Sequence, residues 1–197
     1  MTINRRNIVD PVNPDTFMAI DASTNSLAFS IFTHGKLVRY GKIRFAGADA
    51  FYKAGDAAKK CIPFFREYQV DAVVIEGAIY SNSAKTAMQL SLVQGAIIAS
   101  AQVSGIKIVK AVSPMEWQNF IGTKLLTADE KKAIARRNPG HTASWYKTKQ
   151  RETRKQKTIT SVNKNFNIKV SDDDVADSIG LGWFVSDRWN TVFNGKK

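Results

Sequence analysis

The spacing of apolar residues changes period several times along this chain, and each change marks an element. Phe17–Asp21, Leu27–Thr33 and Leu37–Phe45 are short apolar runs separated only by a Ser/Thr/Asn turn and by His34-Gly35, so they predict two consecutive β-hairpins. From Ala48 to Tyr68 the apolar positions (Phe51, Ala54, Ala58, Cys61, Phe65) recur at helical spacing and predict a crossover helix. Val70–Glu76 is an almost unbroken β-branched run, as expected of a strand covered on both faces. Residues 82–103 return to a helical pattern, with Ala84, Ala87, Met88, Leu92, Ala96, Ile97, Ala99 and Ala101 forming more than one apolar stripe. Such a helix is expected to be buried on two sides, against its own sheet and against a second subunit. Ile106–Val112 reads as a further strand, and Ser113-Pro114 as the start of a short helix.

The remainder is helical in pattern. Thr127-Ala-Asp-Glu130 is a capping box leading into Lys131–Arg137, and Asn138-Pro-Gly140 ends that helix. Trp145–Asn163 is basic and either helical or disordered, and a helix after Ser171 completes the chain. Trp183, Phe184 and Trp189 sit at helical spacing and read as core packing. The order β-β-β-α-β-α-β-α, then a basic region, then α, predicts an α/β fold whose mixed sheet has three antiparallel strands followed by parallel ones. A polar arm over 1–15 is expected to precede a single domain spanning 16–190, with a basic insertion at about 131–163.

Composition changes this picture in one respect. A length of 197 residues and a 44% hydrophobic fraction suit one ordinary globular domain, but the formal net charge is +12. Much of the excess lies between Lys131 and Lys157, where Lys131, Lys132, Arg136, Arg137, Lys147, Lys149, Arg151, Arg154, Lys155 and Lys157 face the single acid Glu152. A solvated helix normally carries acids that pair with its bases; their scarcity here favours a polyanion partner, nucleic acid first. Trp145 and Tyr146 within the stretch read either as base-stacking groups or as a loop anchor. Cys61 is the only cysteine and the two histidines, His34 and His141, are distant, which argues against disulfide, Cys-zinc and His-rich metal chemistry. No run approaches the roughly 20 apolar residues of a membrane span, and the first residues lack the apolar core of a signal peptide. The compartment expected from this is reducing and cytoplasmic.

The most informative chemistry lies in acids that close apolar runs. Asp21 ends the first strand, Glu76 ends the fourth, and Asp174 and Asp177 stand at i, i+3 at the opening of the last helix. An unpaired carboxylate beside a core is costly to desolvate. If the first and fourth strands are parallel neighbours, Asp21 and Glu76 emerge at the same carboxyl edge, where open α/β sheets build their sites. Asp174 and Asp177 share one helix face and can point there. Oxygen-only ligands suit a hard cation, and two Mg²⁺ ions would balance four carboxylates and activate water against a phosphodiester. Singly, each acid has an ordinary explanation: Asp21 as a turn cap, Asp174 as the third residue of a capping box begun by Ser171, Asp172 and Asp173 as complements to the helix dipole. Glu76 is harder to explain so, since its neighbours offer no cationic partner.

These motifs in order, Phe17-Met-Ala-Ile-Asp21-Ala-Ser-Thr-Asn-Ser-Leu-Ala-Phe29, Val73-Val-Ile-Glu76 and Asp174-Val-Ala-Asp177-Ser-Ile-Gly-Leu-Gly182, resemble the RuvC family of Holliday junction resolvases, within the RNase H-like superfamily. The helix from Asn82 and the segment Pro114-Met-Glu-Trp117-Gln to Gly122-Thr-Lys124 are similar to family segments as well. The resemblance implies a homodimer joined through helix 82–103, two Mg²⁺ per site (Mn²⁺ as a substitute), and paired symmetric nicking of four-way DNA junctions. It assigns metal binding and catalysis to Asp21, Glu76, Asp174 and Asp177, and phosphate contacts to Lys124, Lys131 and Lys132. The basic residues Arg136, Arg137, Lys147, Lys149, Arg151, Arg154 and Lys155 extend that DNA-binding set, and Tyr80 is a candidate for probing the junction centre. Ser23 and Ala28 replace glycines common in bacterial members, and the interval from Glu76 to Asp174 is long. Both changes look more like phage or viral relatives, for which the compartment would be the cytoplasm of a bacterial host. Two other readings remain open on the residues alone: a broader nuclease of flaps, branches or RNA–DNA hybrids, and a non-catalytic nucleic-acid-binding protein.

Overall fold

The structure, a computed structural model, describes residues 15–77, 83–123 and 125–194. Residues 1–14, Tyr80 and Lys124, named above, lie outside the described residues. The chain runs β1 (Thr16–Ala22), β2 (Ser26–Thr33), β3 (Lys36–Arg44), α1 (Ala50–Tyr68), β4 (Ala72–Glu76), α2 (Ala84–Val103), β5 (Ile108–Val112), α3 (Pro114–Phe120), α4 (Ala128–Arg137), α5 (Ala143–Phe166), α6 (Asp173–Asp187) and α7 (Trp189–Asn194). The strands form one sheet in the order β3-β2-β1-β4-β5. β1, β2 and β3 pair antiparallel, whereas β4 is parallel to β1 and β5 parallel to β4. This is the mixed α/β arrangement the apolar pattern predicts.

Strand alternation divides the core into two layers. Met18, Ile20, Leu27, Phe29, Ile31, Val73 and Ile75 lie under α1 and α2, where Ala57, Cys61, Phe65, Val93, Ile97 and Ala101 complete an apolar cluster. Phe17, Ala19, Ala28, Phe32, Ala72, Val74 and Val112 face the other way. They pack against α3, α5, α6 and α7 through Trp117, Val162, Val175, Ile179, Leu181 and Phe193. β1 and β4 are therefore covered on both faces, which explains their nearly continuous apolar sequences.

α6 lies close against this second layer because two of its residues have no side chain. A Cβ on Gly182 would stand 2.2 Å from the Phe32 ring, and one on Gly180 would stand 2.9 Å from Trp117. The buried Ser30 hydroxyl also donates to the Ser178 carbonyl at 2.8 Å, tying β2 to the middle of the helix.

Several local expectations need adjustment. The basic stretch Trp145–Asn163 is helical throughout, within α5, and its Thr158 and Val162 are buried. The last helix is two: α6 ends at Asp187, and Trp189 and Phe193 of α7 fold back as a tilted aromatic pair whose centroids are 4.0 Å apart, with Trp189 also against Phe17. Asp172, rather than Ser171, caps α6, accepting from the Val175 N–H at 3.1 Å. The Thr127–Glu130 capping box forms as the sequence pattern predicts. α2 buries only one face; Met88 and Val103 remain 73% and 63% exposed.

The Gly182–Phe32 contact predicts that Gly182→Ala destabilises the fold by about 1–3 kcal/mol or more, because neither a packed ring nor a helix backbone yields easily. Gly55→Ala in α1, where an added Cβ meets nothing within 4 Å, is expected to stabilise by about 0.5–1 kcal/mol. Chemical denaturation of the two variants checks both signs.

Candidate active site

The site grows from one row across the sheet. Register pairs Asp21 with Ala28 on β2, and Ala28 with Lys42 on β3. On the other side Ile20 pairs with Ile75, so the next step carries Asp21 beside Glu76, which itself pairs with Val112 on β5. Residues of one row project to the same face. Ala28 and Val112 belong to the layer covered by α6, so Asp21, Glu76 and Lys42 face that helix at the carboxyl ends of β1 and β4.

α6 brings its first turn to the same place. Burial raises the Asp21 carboxyl well above its ordinary range, and the neighbouring charges of Glu76, Asp177 and Asp174 raise it further; Lys155 opposes them. Burial likewise raises Glu76; the Trp117 indole, donating to its Oε2 at 2.7 Å, pulls it down, and Asp174 pushes it up. Asp177 is pushed up to about 7, by burial first and then by Glu76, with Lys155 and a hydrogen bond from Thr158 in opposition. Asp21, Glu76, Asp174 and Asp177, far apart in sequence, are thus one electrostatic group.

Two lysines answer part of this charge. Lys42 Nζ lies 2.6 Å from Asp174 Oδ2 and 3.0 Å from Asp172 Oδ2. Burial opposes the ammonium, yet its bonds to Asp174 and Asp172 hold Lys42 above its usual pKa. Lys155, from α5, pairs with Asp173 and stands 3.9 Å from Asp174 Oδ1. Each oxygen of Asp174 therefore faces an ammonium group. Among the described residues no three His, Cys, Asp or Glu side chains converge closely enough to hold a metal ion in this arrangement. The donor chemistry, carboxylate oxygens alone, nevertheless fits a hard divalent cation.

The ordinary explanations fare unevenly. The turn after Asp21 is capped by Ser23, whose Oγ accepts from the Asn25 N–H at 3.2 Å, so Asp21 is not needed there. Glu76 has a partner after all, the Trp117 indole. The roles of Lys42, Trp117 and Thr158 beside the acids are not legible in the sequence, because each acts from a distant element.

The basic candidates divide. Lys131, Lys132, Arg136, Arg137, Lys147 and Arg151 are exposed, and Arg154 is half-buried. Lys149 pairs with Glu152 at 3.0 Å, and Lys157 pairs with Glu130. Lys155 points at the acids. Tyr146 anchors the loop before α5, its hydroxyl donating to the Asn138 carbonyl, while Trp145 stacks on His141 with centroids 3.9 Å apart. Among the described residues no helix is long and apolar enough to cross a membrane.

Comparison with known proteins places this geometry in a fold. No family model matches the chain, and no curated protein matches it in sequence. Among solved structures, Thermus thermophilus RuvC in complex with a Holliday junction substrate superposes with a TM-score of 0.63 at 14% identity, covering 89% of this chain and 95% of that one. A second Thermus thermophilus RuvC structure gives 0.61 at 14% identity, over 89% and 96%. The yeast mitochondrial Holliday junction resolvase aligns at 0.49 and 12% identity over 90% and 81%. The chain has the RuvC fold, the RNase H-like architecture its sequence resembles.

The raised carboxyl groups carry a signed pH dependence in metal-free protein. Asp177 has a folded pKa of about 7 against an unfolded value near 4, so folding favours its protonated form. Its contribution is present at low pH and is lost as pH rises from about 4 to about 7, by an amount on the order of 3–4 kcal/mol at most. Thermal melts in chelator between pH 4.5 and 7.5 should show Asp177→Asn with a flatter stability profile than the native chain. Parallel profiles would contradict the assignment.

Proposed function

We propose that the chain is a divalent-metal-dependent endodeoxyribonuclease that resolves four-way DNA junctions by paired symmetric nicks. The observation that carries this reading is the row of half-buried carboxylates at the carboxyl edge of β1 and β4, completed by Asp174 and Asp177 of α6, with the pKa values of Asp21, Glu76 and Asp177 all raised. Carboxylates so destabilised as anions favour a cation that restores their charge. The RuvC fold and the formal charge of +12 support DNA as the substrate.

In this reading Asp21, Glu76, Asp174 and Asp177 would hold two Mg²⁺, or Mn²⁺, and the bound ions would supply water activation and leaving-oxygen stabilisation for phosphodiester hydrolysis. The chain's own groups do the rest. Trp117 holds Glu76 Oε2 toward the site. Lys42 and Lys155 keep Asp174 in place through their ammonium groups. The basic faces of α4 and α5, with Lys124 of the segment that precedes α4, bind the phosphate backbone.

Symmetric nicking requires two such sites, and we propose a homodimer formed through α2. Met88, Leu92 and Val103 are exposed on this helix, and Ala84, Gly95 and Ala99 are exposed small residues at compatible spacing along it. An apolar helix face of this kind gains by covering. Tyr80, in the segment just before α2, is then proposed as a contact near the junction centre. The domain is proposed to span 16–190 with residues 1–15 as an arm, acting in the cytoplasm, of a bacterial host if the chain is of phage origin.

Nicking assays on a synthetic four-way junction, a Y-fork and a linear duplex test the activity. Glu76→Gln and Asp21→Asn should each reduce Mg²⁺-dependent nicking at least about 10³-fold while junction binding in chelator is retained. Equal cutting of the fork would make the chain a general branch nuclease. Junction binding without metal-dependent cutting by the native chain would sink the catalytic reading. For the dimer, sedimentation of Leu92→Glu should show a monomer that binds junctions but makes unpaired nicks.

A further inference from the structure

The cations of α5 belong to two populations. On one flank Lys149 is paired with Glu152 and Lys157 with Glu130, and both line an open groove that also contains Gly122 and Thr123. On the other flank Lys147, Gln150, Arg151 and Arg154 stand at i, i+3, i+4 and i+7, a single helix face. With Lys131 of α4 they surround a recess of about 140 Å³ whose buried wall is Leu126. Among the described residues no acid lines it, and none of these four cations has an acidic partner. Four unpaired positive charges converging on one recess repel one another and favour an anion between them.

The size and chemistry of the recess select that anion. A volume of about 140 Å³ is well below the roughly 300–1,000 Å³ of a small-molecule site. It suits a single tetrahedral oxyanion with bound water rather than a base or a nucleoside. Arg151 and Arg154 offer planar guanidinium forks that match phosphate oxygens. Lys155, the next residue on α5, reaches Asp173 and Asp174, so the helix that carries most of the recess also contacts the acidic cluster. From Lys155 back to Gln150–Arg151 is about 6–8 Å along a helix.

We propose that the recess formed by Lys131, Lys147, Arg151 and Arg154 is a dedicated site for one backbone phosphate within a few nucleotides of the phosphate that is cut. The assignment rests on the nuclease reading for the nature of its ligand. It goes beyond general basic attraction in being positional: one phosphate, at a set reach from the carboxylates, held by four residues and by none of the paired lysines.

The test is a scan of four-way junctions carrying a single uncharged methylphosphonate at successive positions around the nick. Binding is measured in chelator with the native chain, with Arg151→Gln/Arg154→Gln, and with the exposed control Lys164→Gln/Lys169→Gln. The native chain should lose about tenfold in affinity at one position within a few nucleotides of the nick. The Arg variant should lose about tenfold on the unmodified junction and nothing further at that position, and its salt slope should fall by about one. The control variant should keep the native pattern. Native-like binding by the Arg variant, or a loss that multiplies with the methylphosphonate effect, overturns the site while leaving the nuclease reading intact. Positional sensitivity retained by a chain that never nicks with Mg²⁺ would support the site and overturn that reading instead. Melting curves matching the native chain confirm that the variants are folded.

Discussion

Like charges gathered beside a core are the constraint around which this molecule is arranged. Asp21 and Glu76 stand side by side at the ends of parallel strands, and the opening turn of α6 adds Asp174 and Asp177 to the same half-buried place. Each carboxylate loses water and gains repulsion, so the protonated forms of Asp21, Glu76 and Asp177 are favoured. The compensation comes from far away in the chain. Lys42 reaches in from the edge strand β3, and Lys155 from the middle of α5. The outermost strand, the basic helix and the last long helix are thereby coupled to one electrostatic balance.

Packing supplies the precision that charge alone lacks. Gly180 and Gly182 let α6 settle onto Trp117 and Phe32, and the Ser30–Ser178 bond holds its middle to β2. That seating determines where the first turn of α6 ends up, and hence how near Asp174 and Asp177 come to the strand-end acids. Trp117 serves both purposes: its ring is fully buried beneath α6, and its N–H fixes Glu76. A stable core and an oriented carboxylate are here properties of the same side chain.

The excess positive charge is similarly organised by pairing. Lysines that meet Glu130 or Glu152 are spent on holding α4 and α5 together or on local helix stability, where exposed pairs contribute little each. Those without acids remain available to a polyanion. A helix that begins as a charged rod ends with Thr158 and Val162 inside the core, so its outer cations are carried on a firmly rooted element.

Much of this was legible in order along the chain. Period-two and period-3.6 patterns identified the strands and principal helices, because burial on one face or two leaves its mark on local spacing. The strand-end positions of Asp21 and Glu76 and the i, i+3 spacing of Asp174 and Asp177 were equally readable, since a carboxylate closing an apolar run is a local anomaly. The break at Arg188 and the choice of Asp172 as helix cap were not, because competing residues of similar propensity are decided by packing. Least legible were the partners. Lys42 lies 130 and 132 residues from the acids it binds, and Trp117 lies 41 from Glu76. Nor did the run of bases disclose which of them pair with acids and which converge on a recess, since that depends on the azimuth of α5 against α4. The sequence by itself determined which elements form and which residues carry unusual chemistry, through local burial and spacing; only the tertiary structure decided which of them meet, because meeting depends on sheet register and helix seating across the whole chain.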